Sequence, residues 1–274
     1  MTSQAHSFLP CPPDIFCEDL RFLSLAAHRH TAGRRPDDAG RPPLLAATLF
    51  LPANAHPGPA RLPGLLVAHG AGSCRARHRG FCFDACHAGF AVLGIDFRGH
   101  GDSGGLADGP LECDILAAVN LLRTHPLVDP HRIGYRGSSM GGYYGVRAAV
   151  DADFAAVAVL CPANEEVLLR AMERKHEWST RSNDGLEARL DDEALIEFYR
   201  HHRLADDAEM VRNPVLIAHA RGDERVPFQH SLDLAAALGD EADLWLFPEG
   251  SHTSLQSSPL VHRRVLAWLT ERLA

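Results

Sequence analysis

The first indication of the fold comes from Arg132–Val150, which reads Arg-Ile-Gly-Tyr-Arg-Gly-Ser-Ser-Met-Gly-Gly-Tyr-Tyr-Gly-Val-Arg-Ala-Ala-Val. Its first part, Ile133–Tyr135, suits a short buried strand, and its last part favours a helix. Between them, Gly137–Gly141 has the pattern Gly-x-Ser-x-Gly, which at a strand-to-helix junction predicts a sharp turn that lifts the hydroxyl of Ser139 clear of the backbone. Side chains at the flanking positions would collide with the neighbouring strand and helix, which explains the glycines. Ser139 is therefore the first candidate for a nucleophile.

Predicted strands and helices alternate on both sides of this turn. The apolar segments that predict strands are Leu20–Ala27, Leu44–Leu51, Gly64–Ala68, Ala91–Phe97, Ala155–Leu160, Pro214–Ala220 and Asp243–Phe247. Helical patterns occur at Arg79–Ala88, Leu111–Leu122, Phe228–Leu238 and Leu260–Leu273. The first two strands suggest an antiparallel pair at a sheet edge, whereas continuous apolar runs are typical of strands buried on both faces of a parallel sheet. The alternation predicts an α/β fold with a mostly parallel, eight-stranded sheet flanked by helices.

Composition and charge narrow the class of protein. With 274 residues, of which 46% are hydrophobic and 23% charged, the chain can bury a sizeable core, and we expect one domain over residues 14–274. The formal net charge of −8 argues against a nucleic-acid-binding surface. A membrane span needs about 18 consecutive apolar residues, and every apolar run in the sequence is shorter than that. Met1–Cys17 lacks the basic and apolar segments of a secretory signal, so we expect a cytoplasmic protein that binds neither nucleic acid nor membrane.

Cysteine usage predicts neither a disulfide framework nor a metal site. The seven cysteines are Cys11, Cys17, Cys74, Cys82, Cys86, Cys113 and Cys161. Because their number is odd and they are scattered through predicted strands and helices, we expect reduced thiols. Cys82 and Cys86 are four residues apart, but no second pair has metal-ligand spacing, which argues against zinc. We expect no metal and no organic cofactor.

One long section interrupts the alternation of strands and helices. Residues 162–213 carry helical patterning without an obvious strand, and an unstructured connection of this length would be unusual in a compact domain. We interpret the section as a small helical cap inserted between two strands, the alternative being an ordinary surface excursion of amphipathic helices. Three aromatic residues of this section, Trp178, Phe198 and Tyr199, are candidates for substrate contact, together with Tyr143 beside the turn.

Three chemically suited side chains each follow a predicted strand. Ser139 lies at the sharp turn, Asp223 lies just past Pro214–Ala220, and His252 follows the last strand. A serine hydroxyl is a poor nucleophile at neutral pH, so it needs a base within hydrogen-bond reach. An imidazole suits that role, and a carboxylate holds the ring in the right tautomer and stabilises its charged form. The order Ser, Asp, His along the chain is that of the α/β-hydrolase triad.

Other residues compete for the roles of acid and base. Carboxylates that also lie near strand ends are Asp96, Asp102, Asp151 and Asp153, and the competing histidines are His69 and His219. Asp223 and His252 are preferred because they alone follow the nucleophile in the required order at successive strand ends. We expect His69 to orient the loop after Ala68 rather than to take a proton.

An oxyanion hole would complete the site. One donor is expected to be the backbone N–H of Met140, the residue after the nucleophile. The second donor is expected from the loop after the strand that ends near Ala68, with Ala71 as the first choice and Gly72 as the second. Glycines in this loop allow its backbone to approach a substrate carbonyl closely.

Taken together, these motifs resemble the α/β-hydrolase superfamily, in particular its bacterial dienelactone-hydrolase-like, acyl-peptidase-like and cinnamoyl-esterase-like branch. The residues that carry the resemblance are His69–Gly72, Asp96–Ser103, Gly137–Gly142, Gly222–Pro227 and Gly250–His252. The resemblance covers the chain from about residue 20 to its end and implies serine-hydrolase chemistry. Two departures are Ser138, where relatives often carry His, and a serine nucleophile in place of the cysteine of true dienelactone hydrolases.

The reaction predicted from these residues is hydrolysis of a carboxylic ester of a small-molecule acyl substrate through an acyl-enzyme. An amide, peptide or thioester bond is an alternative target, acyl transfer is a second class of reaction, and a non-catalytic binding protein on the same fold is a third. Basic residues after the oxyanion loop, Arg75, Arg77, His78 and Arg79, could attract an anionic acyl group or simply form a solvated helix start. The choice between monomer and homodimer is open.

Overall fold

The computed structural model describes residues 9–25, 41–58, 60–174 and 188–274. Eight strands of these ranges form one sheet in the order β1-β2-β4-β3-β5-β6-β7-β8. The strands are β1 (Ile15–Leu23), β2 (Leu44–Pro52), β3 (Leu62–Ala68), β4 (Ala91–Ile95), β5 (Val128–Ser138), β6 (Ala156–Leu160), β7 (Val215–Ala220) and β8 (Ala242–Phe247). Strand β2 is antiparallel to both β1 and β4, and the remaining neighbours are parallel. The predicted eight-stranded, mostly parallel sheet with an antiparallel edge pair is confirmed.

Helices cover both faces of the sheet. They are α1 (Arg79–His87), α2 (Glu112–Arg123), α3 (Met140–Ala149), α4 (Glu165–Glu173), α5 (Asp192–His201), α6 (Leu204–Ala208), α7 (Gln229–Leu238), α8 (His252–Ser257) and α9 (Pro259–Arg272). Helices α2, α3 and α7 share one apolar core with the sheet, while α1, α8 and α9 share a second. Strands β4, β6 and β7 are buried along their whole length. Their near-continuous apolar sequences therefore follow from burial on both faces.

The predicted start of the first strand is wrong, and β5 is longer at both ends than the predicted Ile133–Tyr135. Strand β1 begins at Ile15 rather than Leu20, and its exposed and partly buried positions carry charged residues such as Glu18 and Asp19. An edge strand with one solvated side needs no apolar run, which is why hydrophobicity alone misplaces its start. Residues 26–40, which include the end of the predicted strand Leu20–Ala27, lie outside the described residues.

The prediction that all seven thiols are reduced is wrong for two of them. Cys11 and Cys17 form a disulfide, with their Cα atoms 6.4 Å apart. The chain turns at Pro12 and enters β1 at Ile15, whose N–H donates to the carbonyl of Pro12. This turn brings two cysteines that are six residues apart within bonding reach. The other five cysteines are free.

The described part of residues 162–213 is helical and packs onto the sheet domain. It contains α4, α5 and α6, and the side chains of Asn164 and Asp191 cap the N-termini of α4 and α5. The segment before α5 docks on the loop after β4: the N–H of Ala107 donates to the carbonyl of Arg189 at 2.9 Å. The division into one domain with a cap at 162–213 stays a prediction. In the described ranges, no helix is long and apolar enough to cross a membrane.

Candidate active site

Ser139 occupies the sharp turn between β5 and α3. Its φ is 52° and its ψ is −113°, a conformation that a residue with a side chain rarely adopts. Backbone hydrogen bonds hold it there: its N–H donates to the carbonyl of Leu160 at 2.9 Å, and its carbonyl accepts from the N–H of Gly142 at 2.9 Å. A Cβ atom on Gly141 would lie 2.6 Å from the carbonyl oxygen of His69. The turn can therefore form only with glycine at that position, as the motif predicts.

The loop after β3 lies directly against the nucleophile. A Cβ atom on Gly70 would be 3.2 Å from the Cβ of Ser139. The carbonyl of Gly70 is held by the Nδ1 of His69 at 2.7 Å and by the N–H of Ser73 at 3.2 Å. Because a peptide unit is planar, fixing this carbonyl also fixes the N–H of Ala71 on the opposite side. The arrangement fits the expected use of Ala71 as an oxyanion donor.

His69 is held as a neutral ring with one tautomer. The N–H of Phe97 donates to its Nε2 at 3.1 Å, so the ring proton sits on Nδ1, facing Gly70. Burial lowers the pKa of His69 to about 4. These contacts fit the expectation that His69 orients the loop instead of exchanging a proton.

Asp223 lies in a tight loop after β7, close to the loop that carries His252. A Cβ atom on Gly222 would lie 2.7 Å from the carbonyl oxygen of Gly250, so glycine lets the two loops touch. The Oδ1 of Asp223 accepts from the backbone N–H groups of Arg225 and Val226, at 2.9 and 2.8 Å. Its Oδ2 lies 2.7 Å from the Nδ1 of His252.

The carboxylate of Asp223 stays ionised. Burial acts to raise its pKa, but the contacts from His219 and His252 outweigh that effect and hold the pKa well below the usual range. A carboxylate that remains charged can accept a hydrogen bond from an imidazole and stabilise the imidazolium. The side chain therefore has the charge that the acid of a triad requires.

His252 is the first residue of α8 and is buried. Ser251 caps this helix with its side chain, and Ser254 completes a capping box. The N–H of His252 donates to a carboxylate oxygen of Glu224 at 3.2 Å. Since Asp223 occupies Nδ1, the ring nitrogen left for proton exchange is Nε2.

The competing carboxylates are engaged elsewhere. Asp96 is fully buried and forms an ion pair with Arg75, whose backbone N–H also donates to it at 2.6 Å. Asp102 pairs with the same arginine at 2.9 Å. Asp151 and Asp153 are exposed. The structure thus brings together Asp223 and His252, the pair preferred from chain order.

The aromatic candidates for substrate contact lie in a packed cluster. Tyr143, Phe198 and Tyr199 are buried between α3 and α5, and the hydroxyl of Tyr199 lies 2.8 Å from that of Tyr144. The rings of Tyr143 and Tyr199 meet edge to face with centroids 5.8 Å apart. These contacts explain their burial as core packing, and their contact with a substrate stays a prediction. Trp178 lies outside the described residues.

The basic residues after the oxyanion loop are engaged within the protein. Arg75 binds Asp96, and Arg79 donates to the carbonyl of Leu9 at 3.0 Å. The ring of His78 lies 2.9 Å from the guanidinium of Arg136. These contacts favour the structural interpretation of the cluster over capture of an anionic acyl group.

Cys161 also lies close to the acid and the base, and the sequence motifs did not indicate it. It follows β6 with a positive φ of 45°, and its Sγ, a carboxylate oxygen of Asp223 and a ring nitrogen of His252 lie within 4.8 Å of one another. Burial raises the pKa of the thiol. Metal binding here would require both loss of that proton and rupture of the bond between Asp223 and His252. Its place directly after the predicted strand Ala155–Leu160 is the sequence signal that could have identified it.

Comparison with known proteins adds a family and a set of similar folds. Residues 83–274 match the model of the prolyl oligopeptidase family. The uncharacterized protein YfhR of Escherichia coli K12 is 26% identical over 216 residues, which cover 74% of this chain and 67% of YfhR.

Two solved structures share the fold at low sequence identity. The hypothetical protein PA2218 of Pseudomonas aeruginosa superposes with a TM-score of 0.75 at 18% identity, over 99% of this chain and 98% of the other. The acetyl xylan esterase of Paenibacillus sp. R4 has a TM-score of 0.71 at 16% identity, over 97% and 87% of the two chains.

Proposed function

Because the chain belongs to the prolyl oligopeptidase family of α/β-hydrolases and is a serine hydrolase of that type, we propose that it cleaves carboxylic esters through an acyl-enzyme. The observation that carries the proposal is the 2.7 Å contact between the Nδ1 of His252 and the carboxylate of Asp223. Both residues follow parallel strands at their carboxyl ends, the same side of the sheet on which Ser139 follows β5. In open α/β sheets this side is where ligands bind.

In the proposed reaction, the Oγ of Ser139 attacks the ester carbonyl while the Nε2 of His252 takes the hydroxyl proton. Asp223 stabilises the imidazolium that forms. The backbone N–H groups of Met140 and Ala71 hold the oxyanion. Gly72 is the second choice for the donor from the loop after β3. One such donor contributes about 3 kcal/mol to transition-state stabilisation.

Collapse of the tetrahedral intermediate breaks the bond to the leaving alcohol, which receives the proton from His252. Water then attacks the acyl group on Ser139, and His252 takes a proton from that water. The acid leaves, and the serine hydroxyl is restored. The substrate is a small molecule that bears an acyl group.

A peptide or amide bond is the second candidate, and the family to which the chain belongs favours it. An ester is preferred because the acetyl xylan esterase of Paenibacillus sp. R4 aligns over nearly the whole of both chains. Peptide p-nitroanilides test the second candidate, because a peptidase cleaves their amide bond with the same serine, whereas an enzyme specific for esters leaves that bond intact. Cleavage of the anilides by the wild type that is lost in Ser139→Ala would favour a peptide over an ester as the substrate.

The experiment that tests the nucleophile compares two adjacent serines. Ser139→Ala should lower kcat for short-chain aryl esters by about 10⁶ and abolish labelling by a fluorophosphonate probe. Ser138→Ala is the matched control, because the side chain of Ser138 is fully buried beside the nucleophile. Full activity in the first variant, or equal losses in both, would refute the assignment.

A further inference from the structure

A second histidine lies against the carboxylate of Asp223. His219 belongs to β7, and its side chain is fully buried. Its Nδ1 lies 2.6 Å from the Oγ of Ser231 in α7, and its Nε2 lies 3.0 Å from the carbonyl oxygen of Val226. The same Nε2 is 3.2 Å from the Oδ2 of Asp223. The proposed reaction makes no use of this ring.

The partners of His219 determine where its proton lies. The carbonyl of Val226 and the carboxylate of Asp223 can only accept hydrogen bonds, so Nε2 must carry a hydrogen. In the neutral ring, Nδ1 then accepts from the hydroxyl of Ser231, which fixes the tautomer. The Nε2–H group donates to the carbonyl of Val226 at 3.0 Å, and the same nitrogen lies 3.2 Å from the Oδ2 of Asp223.

These contacts connect His219, Val226 and Asp223 in a closed ring of interactions. The carbonyl of Val226 is held by His219, while the N–H of Val226 donates to the Oδ1 of Asp223 at 2.8 Å. The Oδ2 of Asp223 is left to face two imidazoles, His219 at 3.2 Å and His252 at 2.7 Å. Both oxygens of the carboxylate are thereby held by groups other than the base.

We propose that His219 is a positioning residue, which holds Asp223 toward His252 and shares its negative charge. The proposal rests on the proposed triad, because it assigns His219 a role through the acid of that triad. A carboxylate that shares its charge with a second N–H attracts the proton of the first imidazole less strongly. Loss of the N–H at position 219 should therefore raise the proton affinity of His252.

Other titratable groups face this pair and must be considered in any pH profile. The thiol of Cys161 lies near both Asp223 and His252, and burial raises its pKa, so it stays protonated through the neutral range. The carboxylate of Glu224 accepts from the backbone N–H of His252. All of these groups remain in place when only residue 219 is changed.

Two amide variants separate the two ring nitrogens of His219. In His219→Gln, the longer side chain places an amide N–H near the position of Nε2, which keeps a donor toward Val226 and Asp223. In His219→Asn, the shorter amide reaches only the position of Nδ1 and keeps the contact with Ser231. The two variants thus have similar polarity and differ in the donor that the proposal requires.

We expect His219→Asn to lower kcat for a short-chain aryl ester about tenfold, far less than the ~10⁴ that follows loss of function in a triad acid. Its KM should be unchanged, and the acidic limb of its kcat/KM profile should move up by about half a pH unit. His219→Gln should restore kcat and the position of the limb. Equal effects of the two variants, or a fall in kcat without a shift of the limb, would overturn the proposal.

A titration without substrate keeps this test independent of the proposed reaction. NMR reports the pKa of the His252 ring directly, and it should rise in His219→Asn but not in His219→Gln. If the wild type does not hydrolyse esters, the proposed function is refuted. The NMR titration would still show whether His219 acts on His252 through Asp223.

If His219→Asn does not fold, Ser231→Ala replaces it. This variant removes the hydroxyl that anchors Nδ1, so the pKa of His252 should move in the same direction by a smaller amount. An unchanged pKa would overturn the proposal.

Discussion

Two buried carboxylates near the carboxyl ends of the parallel strands differ in the partners that hold them. Asp114 in α2 accepts from the Nε and the terminal nitrogen of Arg98, at 2.9 and 2.7 Å, and from the backbone N–H of that arginine at 2.8 Å. Asp223 instead faces the imidazoles of His219 and His252. Burial and dense hydrogen bonding are therefore common to a site that we consider structural and to one that we consider catalytic.

The difference lies in whether the partner can exchange a proton. A guanidinium is charged at every pH that a protein tolerates. Although burial acts to lower the pKa of Arg98, the carboxylate of Asp114 raises it. That pair ties the loop after β4 to α2. An imidazole gains and loses its proton near neutrality, so the same kind of carboxylate becomes part of a proton-transfer system when its partner is His252.

The largest effect that tests this comparison is expected for Asp223→Asn. The amide keeps the shape of the side chain but cannot stabilise an imidazolium, and it can hold the base in the wrong tautomer. We expect kcat for aryl esters to fall by about 10⁴ with little change in KM. A loss below tenfold in steady-state kinetics would remove Asp223 from the proposed triad.

Asp114→Asn should have the opposite profile. It leaves the buried guanidinium of Arg98 without its main counter-charge, which costs about 3 kcal/mol of unfolding free energy. Denaturant titration measures this loss. The kcat per active site, counted with a fluorophosphonate probe, should stay within about twofold of the wild type, since Asp114 acts on stability alone. A large fall in kcat would mean that the two carboxylates are not separate in function.

The smallest effect concerns the pH dependence of stability. His69 and His100 lie with ring centroids 5.1 Å apart, and burial lowers the pKa of each to about 4. Between about pH 6.5 and pH 4 the unfolded chain binds more protons than the folded one, so stability falls as the pH falls through this window. At about pH 5 each ring should cost about 2 kcal/mol of unfolding free energy relative to pH 7.5.

His100→Asn tests this expectation, because it removes one titrating ring from outside the proposed machinery. The decrease in unfolding free energy between the two pH values, measured with urea, should become smaller by about the share of one ring. The same decrease in the variant and in the wild type would show that His100 does not set the acid limit of stability.

The local features of the site could be predicted from the sequence because they depend on neighbouring residues. Gly137 and Gly141 around Ser139 indicate a turn that has little space for a side chain, and the structure has such a turn. Apolar runs such as that of β3 indicate strands buried on both faces. Given alternating strands and helices, the chain order also selects Asp223 and His252, because the carboxyl ends of parallel strands all lie on the same side of the sheet.

Features that depend on distant residues could not be predicted in this way. The side chains of His219 and His252 have the same chemistry, and their separate contacts with Asp223 arise only when β7, β8 and α7 are assembled. The bond between Cys11 and Cys17 is a local feature, but an odd cysteine count does not indicate the turn at Pro12 that allows it.

Local sequence patterns thus indicate most strands and helices and the sharp turn at Ser139, though not the start of β1, since hydrophobic period and glycine placement act over a few residues. The tertiary structure alone decided which buried groups meet. Tyr199 packs against Tyr144 across 55 residues of chain, and Asp114 meets Ser24 across 90. Such contacts are set by the order of strands in the sheet and by the packing of helices upon it, which no local pattern records.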